Sequence, residues 1–118
     1  ATASPCVQAM AAAPALMLDK ARVPLSTAGA AAWGSPTIIA RCGLDEPAPS
    51  RRTCLEVDGV DWVIDEAADP MTAISYGRSP AVELWVPASY GMSALPSALV
   101  DAAPIARALP TTARACIG

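Results

Sequence analysis

The chain has 118 residues, 53% of them apolar and 16% charged, with a net charge of −3 and a pI near 4.7. That length suits one domain, taken as 1–118, and the composition excludes a disordered chain. A single lysine and one adjacent basic pair, Arg51–Arg52, exclude the clustered cations that nucleic acid or an anionic membrane surface demands. Much of the apolar fraction is alanine and there is no Phe, so Leu, Ile, Val, Met and three Trp must fill the core. Such a core is thin, and covalent cross-links would matter to it.

From the N-terminus, Ser4-Pro5 is a helix start, with Ser as cap and Pro in the first turn. The helix is expected to reach about residue 12, before Pro14, with a further helical turn over 16–20. Residues 30–33 read as a short strand, Gly34-Ser35-Pro36 as a turn and 37–42 as a β-branched strand. A loop covers 45–53. Segments 54–57 and 60–64 flank Asp58-Gly59, a strong hairpin signal. In the second arm Val60, Trp62 and Ile64 alternate with Asp61, Val63 and Asp65, a period of two that buries one face. Strands follow at 71–76 and 81–86, joined across 77–80. In the latter, Val82, Leu84 and Val86 share one face and Glu83 and Trp85 the other. A loop over 87–93 leads to a helix over 96–103 that Pro104 ends or kinks, and the tail is irregular. The expected fold is α+β: an antiparallel meander sheet of about five or six strands with N- and C-terminal helices packed on one face, closed by two disulfides.

The four cysteines, Cys6, Cys42, Cys54 and Cys116, allow three pairings. The favoured one is Cys6–Cys116 with Cys42–Cys54, which ties the chain ends together and closes the Pro-rich loop. A zinc site is disfavoured, because no two cysteines stand in a CxxC pair and the chain has no His. Disulfides imply an oxidising compartment, secreted or on the outer face of the cytoplasmic membrane. No charge-free run reaches the roughly 18 apolar residues of a membrane span. No signal peptide is visible, and a removed N-terminal anchor is compatible with the chain.

The lack of His also removes the Ser-His-Asp and Cys-His catalytic sets. No phosphate or dinucleotide loop occurs, so no catalytic residue, metal or cofactor is assigned. Three features remain. The acidic residues Glu56, Asp58, Asp61, Asp65, Glu66 and Asp69, with no base between Arg52 and Arg78, read first as a solvated face. A calcium site or a carboxylate pair is the sharper alternative. Arg78, after Gly77, reads either as an internal partner of Glu83 or as an anchor for an anionic ligand. Trp85, out of phase with its apolar neighbours, reads either as an interface anchor or as a residue covered by an end helix.

Ala32-Trp33-Gly34-Ser35-Pro36, Arg41-Cys42-Gly43, Cys54, Val60-Asp61-Trp62, and Tyr76-Gly77-Arg78 through Pro80-Ala81-Val82-Glu83, in this order, resemble the actinobacterial "domain of unknown function 3515" family. The resemblance runs from Cys6 to Cys116. It implies a secreted or singly anchored protein and carries no assigned activity. The sequence therefore points to a non-catalytic extracytoplasmic module that binds an envelope protein or a cell-wall component, or serves as an accessory subunit of a membrane complex. Trp33, Arg41, Tyr76, Arg78, Glu83 and Trp85 are its candidate contacts. The alternative is a small-ligand binder or carboxylate-dependent enzyme, which needs Arg41, Tyr76, Arg78 and Glu83 in one deep pocket.

Overall fold

The computed structural model describes residues 4–25, 29–47, 53–91 and 93–116. The elements are α1 (Ser4–Ala11), β1 (Leu16–Met17), β2 (Lys20–Val23), β3 (Ala30–Trp33), β4 (Ile38–Leu44), β5 (Thr53–Val57), β6 (Val60–Asp65), β7 (Met71–Tyr76), β8 (Ala81–Val86) and α2 (Ala94–Arg107). The class is α+β, but the sheet holds eight antiparallel strands rather than five or six. Two of the extra strands come from the expected helical turn over 16–20. There Leu18 and Asp19 take φ of 50° and 63° and reverse the chain into the β1–β2 hairpin. A two-residue turn with both φ positive is usually announced by Asn-Gly or Asp-Gly, and Leu-Asp gives no such signal. Leu18 is held there by packing against the core and by its N–H, which donates to Asp101 Oδ2 on α2 at 2.9 Å. The Asp58-Gly59 hairpin forms as expected, with φ of 53° and 82°.

Nor is the sheet one meander. Its strand order is β1-β2-β3-β4-β8-β7-β6-β5. The chain leaves β4, passes to the far edge, and returns strand by strand until β8 pairs with β4. Strands apolar on both faces go to the middle of a sheet, and β8 carries Trp85 behind Val82, Leu84 and Val86. The shorter, more polar β5 takes the edge.

One face of the sheet is covered by both helices. Trp33, Ile38, Ala40, Val60, Trp62, Met71, Ala73, Val82, Leu84 and Val86 are buried there. On α2, Leu95, Ala98, Leu99, Ala102, Ile105 and Ala106 recur at helical spacing and are buried. The alanines let the helix lie close to the strands, and the two large indoles fill volume that Phe would supply elsewhere. Pro104 does not end this helix, which continues to Arg107. The residue whose carbonyl loses its intrahelical partner there is Val100, which is exposed, so water can satisfy it.

Both disulfides join other partners than expected: Cys6–Cys42 and Cys54–Cys116, with Cα atoms 5.7 and 5.6 Å apart. The reason is the strand order. β4 and β5 lie four strand spacings apart, on the order of 19 Å, and a disulfide spans at most about 7 Å between Cα atoms. Cys42 also points into the core beneath α1, whereas Cys54 lies in the row of Val63 on the opposite face.

The segment after α2 turns round the end of the sheet to reach that opposite face. Ser79 N–H donates to Pro110 O and Thr112 N–H to Gly77 O, and Cys116 N–H donates to Asp61 Oδ2 at 2.8 Å. Glu46, just beyond β4, gathers this crossing: it accepts from Gly77 N–H at 3.1 Å and from the Thr112 hydroxyl, and lies 3.5 Å from Arg114. Gly77 sits at φ 89°, and a Cβ there would collide with the carbonyl of Arg114.

Three outcomes follow. A non-reducing tryptic digest is expected to release Cys6 linked to Cys42 and Cys54 linked to Cys116. Recovery of Cys42 linked to Cys54 would refute the strand order. Loss of either bridge is expected to cost about 4 kcal/mol, by loop lengths of 36 and 62 residues. In urea melts, Gly77→Ala is expected to cost 2 kcal/mol or more, roughly, and Gly59→Ala only about 1, because no atom lies near a Cβ at position 59. Equal losses would remove the tail crossing as the reason for Gly77.

Candidate functional site

The helix-free face of the sheet is built by the pleat. Because Val82, Leu84 and Val86 turn to the core, Glu83 and Trp85 turn outward. β4 does the same with Ile39 and Arg41. The β4–β8 register then places Arg41 opposite Glu83 and Ile39 opposite Trp85. Continued across the sheet, one row reads Val23, Ala32, Ile39, Trp85, Thr72, Asp65, and the next reads Ala30, Arg41, Glu83, Ile74, Val63, Cys54. An apolar row with an indole in it thus runs beside a charged pair.

Arg41 joins the two rows. Its Nη2 donates to Glu83 Oε1 at 3.1 Å, and its guanidinium carbon lies 5.1 Å from the centre of the Trp85 ring. The Arg41 side chain is 46% exposed and that of Glu83 only 13%. Neither contact is strong in this setting, at about 1 kcal/mol or less each. Their effect is positional: they hold a planar cation, a carboxylate and an indole side by side. A shallow, open hollow runs along Arg41, Cys42, Gly43 and Leu44, where the β4–β8 register slips at Gly43.

Of the six candidate contacts, only Arg41, Glu83 and Trp85 come together. Trp85 is half-buried and not covered by either helix, since both pack on the other face. Trp33 is fully buried, and its Nε1–H donates to Pro14 O at 3.0 Å. Tyr76 shares the open face but stands opposite Asp61, where the tail crosses. Arg78 neither pairs with Glu83 nor faces an open site. Its Nη1 donates to the carbonyls of Leu109, just past α2, at 3.0 Å, and of Arg107, the last residue of α2, at 3.4 Å. Helix-terminal carbonyls attract cations, which explains that placement. Ile39, Thr72 and Ile74 complete the patch and were missed, because nothing local in their strands indicates which strand lies alongside.

The acidic segment resolves into separate bonds. Glu56 Oε2 accepts from Gly59 N–H at 2.9 Å, Asp65 Oδ1 from Ala67 N–H at 3.1 Å, and Asp69 Oδ1 from Ala88 N–H at 3.0 Å. Asp58 pairs with Arg107 at 3.2 Å. Among the described residues no three carboxylates or cysteines converge on a point where a metal would sit.

Arg78→Ala is expected to lower stability in urea melts by about 1 kcal/mol, as α2 loses a charged partner for its final carbonyls. Arg41→Ala is expected to cost less than that, since its ion pair with Glu83 is exposed on the Arg41 side. The reverse order would assign Arg41 to the fold.

The family described as Protein of unknown function (DUF3515) matches residues 1–113. No curated protein and no solved structure matches the chain. The match takes in both helices, all eight strands and the Arg41–Glu83–Trp85 patch. The chain therefore belongs to the domain of unknown function 3515 family.

Proposed function

We propose that the protein is a non-catalytic module of an actinobacterial cell envelope, working outside the cytoplasm, secreted or anchored to the outer face of the cytoplasmic membrane. It binds a protein or cell-wall component through the face that carries Trp85, and an accessory role in a membrane complex fits the same surface. The observation that carries this reading is the juxtaposition of Trp85, Ile39 and the Arg41–Glu83 pair on a broad sheet face that neither helix covers. Interface centres are rich in Trp and Arg, and an open sheet face suits a macromolecule better than a small ligand. Two disulfides support the compartment, since they persist where glutathione and thioredoxin do not reduce them. Among the described residues no helix is long and apolar enough to cross a membrane. The rival reading, a small-ligand site or carboxylate enzyme, needs Arg41, Tyr76, Arg78 and Glu83 in one pocket. The fold brings Arg41 and Glu83 together, but Tyr76 stands opposite Asp61 where the tail crosses, and Arg78 is bonded to carbonyls at the end of α2.

The test is a native mass spectrum of the protein released from its own envelope under mild conditions. A larger mass, containing a second protein or a wall fragment, is expected. It is expected to disappear in Trp85→Ala while circular dichroism stays unchanged. A complex that survives Trp85→Ala and Arg41→Ala would locate binding elsewhere. A bound small molecule that is lost with Arg41→Ala would favour the hollow beside it and the rival reading.

A further inference from the structure

The sheet has two edges, and they are treated differently. At one, β1 has only two residues, Leu16–Met17, which is one of the ways proteins blunt an edge. At the other, β5 runs five residues, Thr53–Val57, with no Pro, no Lys and no slip in its register with β6. In a hairpin with a two-residue turn, the residues flanking the turn exchange hydrogen bonds, and alternate residues beyond them turn their N–H and C=O groups outward. Val57, Leu55 and Thr53 therefore bond to β6, and Cys54 and Glu56 present their backbone groups to the edge. Among the described residues no hydrogen bond meets those outward groups.

A second feature adjoins this edge. Glu56 stands directly opposite Asp61 on the helix-free face. Like charges facing each other across strands cost stability. The ion pairs among the described residues are Arg41–Glu83, Arg107–Asp58 and Arg114–Glu46, so no described cation neutralises this pair. A residue on a strand added beside β5 and opposite Glu56 would project on the same face as both carboxylates.

We infer that β5 is a docking edge for an extended, basic segment of a partner protein. The segment adds an antiparallel strand, bonds to the backbone of Cys54 and Glu56, and places a Lys or Arg over the Glu56–Asp61 pair. Main-chain bonds supply the affinity and that cation supplies the selectivity. A second copy of the chain fits less well. Pairing β5 with itself about Leu55 sets Glu56 beside Cys54 of the other copy and brings a second acidic pair alongside the first. This edge lies three strands away from β8, which carries Trp85, so the two proposals fail independently.

The test uses the full, oxidised chain with isotopic labelling and two blocked peptides, one alternating lysine with valine and one alternating glutamate with valine. In the free protein the amides of Cys54 and Glu56 are expected to exchange fast, and those of Leu55 and Val57 slowly. Saturation with the lysine peptide is expected to slow Cys54 and Glu56 exchange about tenfold or more, with the glutamate peptide inactive. Glu56→Gln is expected to weaken lysine-peptide binding about threefold, the scale of one cross-strand charge pair. Four results overturn the proposal: Cys54 and Glu56 amides already protected in dilute free protein; protection that rises with protein concentration alone, which would make a second copy the occupant; spectral shifts confined to the Trp85 face; or no response to either peptide.

Discussion

The ladder between β4 and β8 is the contact on which the structure turns. It joins the half of the sheet built from β1 to β4 to the half built from β5 to β8, and its paired residues lie some forty positions apart in the chain. Closing so long a connection costs conformational entropy, which grows only slowly with length. The return is burial: Ala40, Cys42, Val82 and Leu84 come together on the inner face, beneath the helices. The same register sets Arg41 against Glu83 and Ile39 against Trp85 on the outer face. Core and candidate site are thus two sides of one ladder.

The remaining devices secure the two ends of the chain to opposite faces. Cys6–Cys42 fastens α1 over the inner face, and Cys54–Cys116 fastens the tail on the outer one. Between them Glu46 gathers the start of the β4–β5 connection, the β7–β8 turn and the tail through Gly77, Thr112 and Arg114. This matters in a chain whose helix face is rich in alanine, because alanine buries little area and contributes little transfer energy per residue. Cross-links that restrict the unfolded chain offset part of that shortfall. The tail covers one end of the outer face and leaves the end carrying Trp85 and Ile39 without a helix above it. The crossing that stabilises the fold therefore also delimits the candidate surface.

Much of this was legible locally. The alternation in β6 and β8, the Asp58-Gly59 turn, the helix start at Ser4-Pro5 and the outward position of Trp85 all follow from periodicity or turn chemistry within a few residues. The β1–β2 hairpin was hidden, because Leu18 and Asp19 hold positive φ through contacts with α2 and the core rather than through their own preferences. Half of the candidate site was legible too. Trp85, Glu83 and Arg41 were identified as residues, but their assembly was not. Arg78 shows the difference: its place after a glycine turn suggested Glu83 as a partner, yet the carbonyls at the end of α2 lie nearer, and they arrive from about thirty residues further along the chain.

Taken alone, the sequence determined the α+β class, the places of most strands, the even set of cysteines and the family, since each is written in short-range pattern or composition. Only the tertiary structure decided which strands are neighbours, and with that which cysteines meet, which residues surround Trp85 and which edge stays unpaired. Those outcomes depend on strands competing for the buried middle of one sheet. That competition is settled by which strands the helices can cover together, and no window of neighbouring residues contains it.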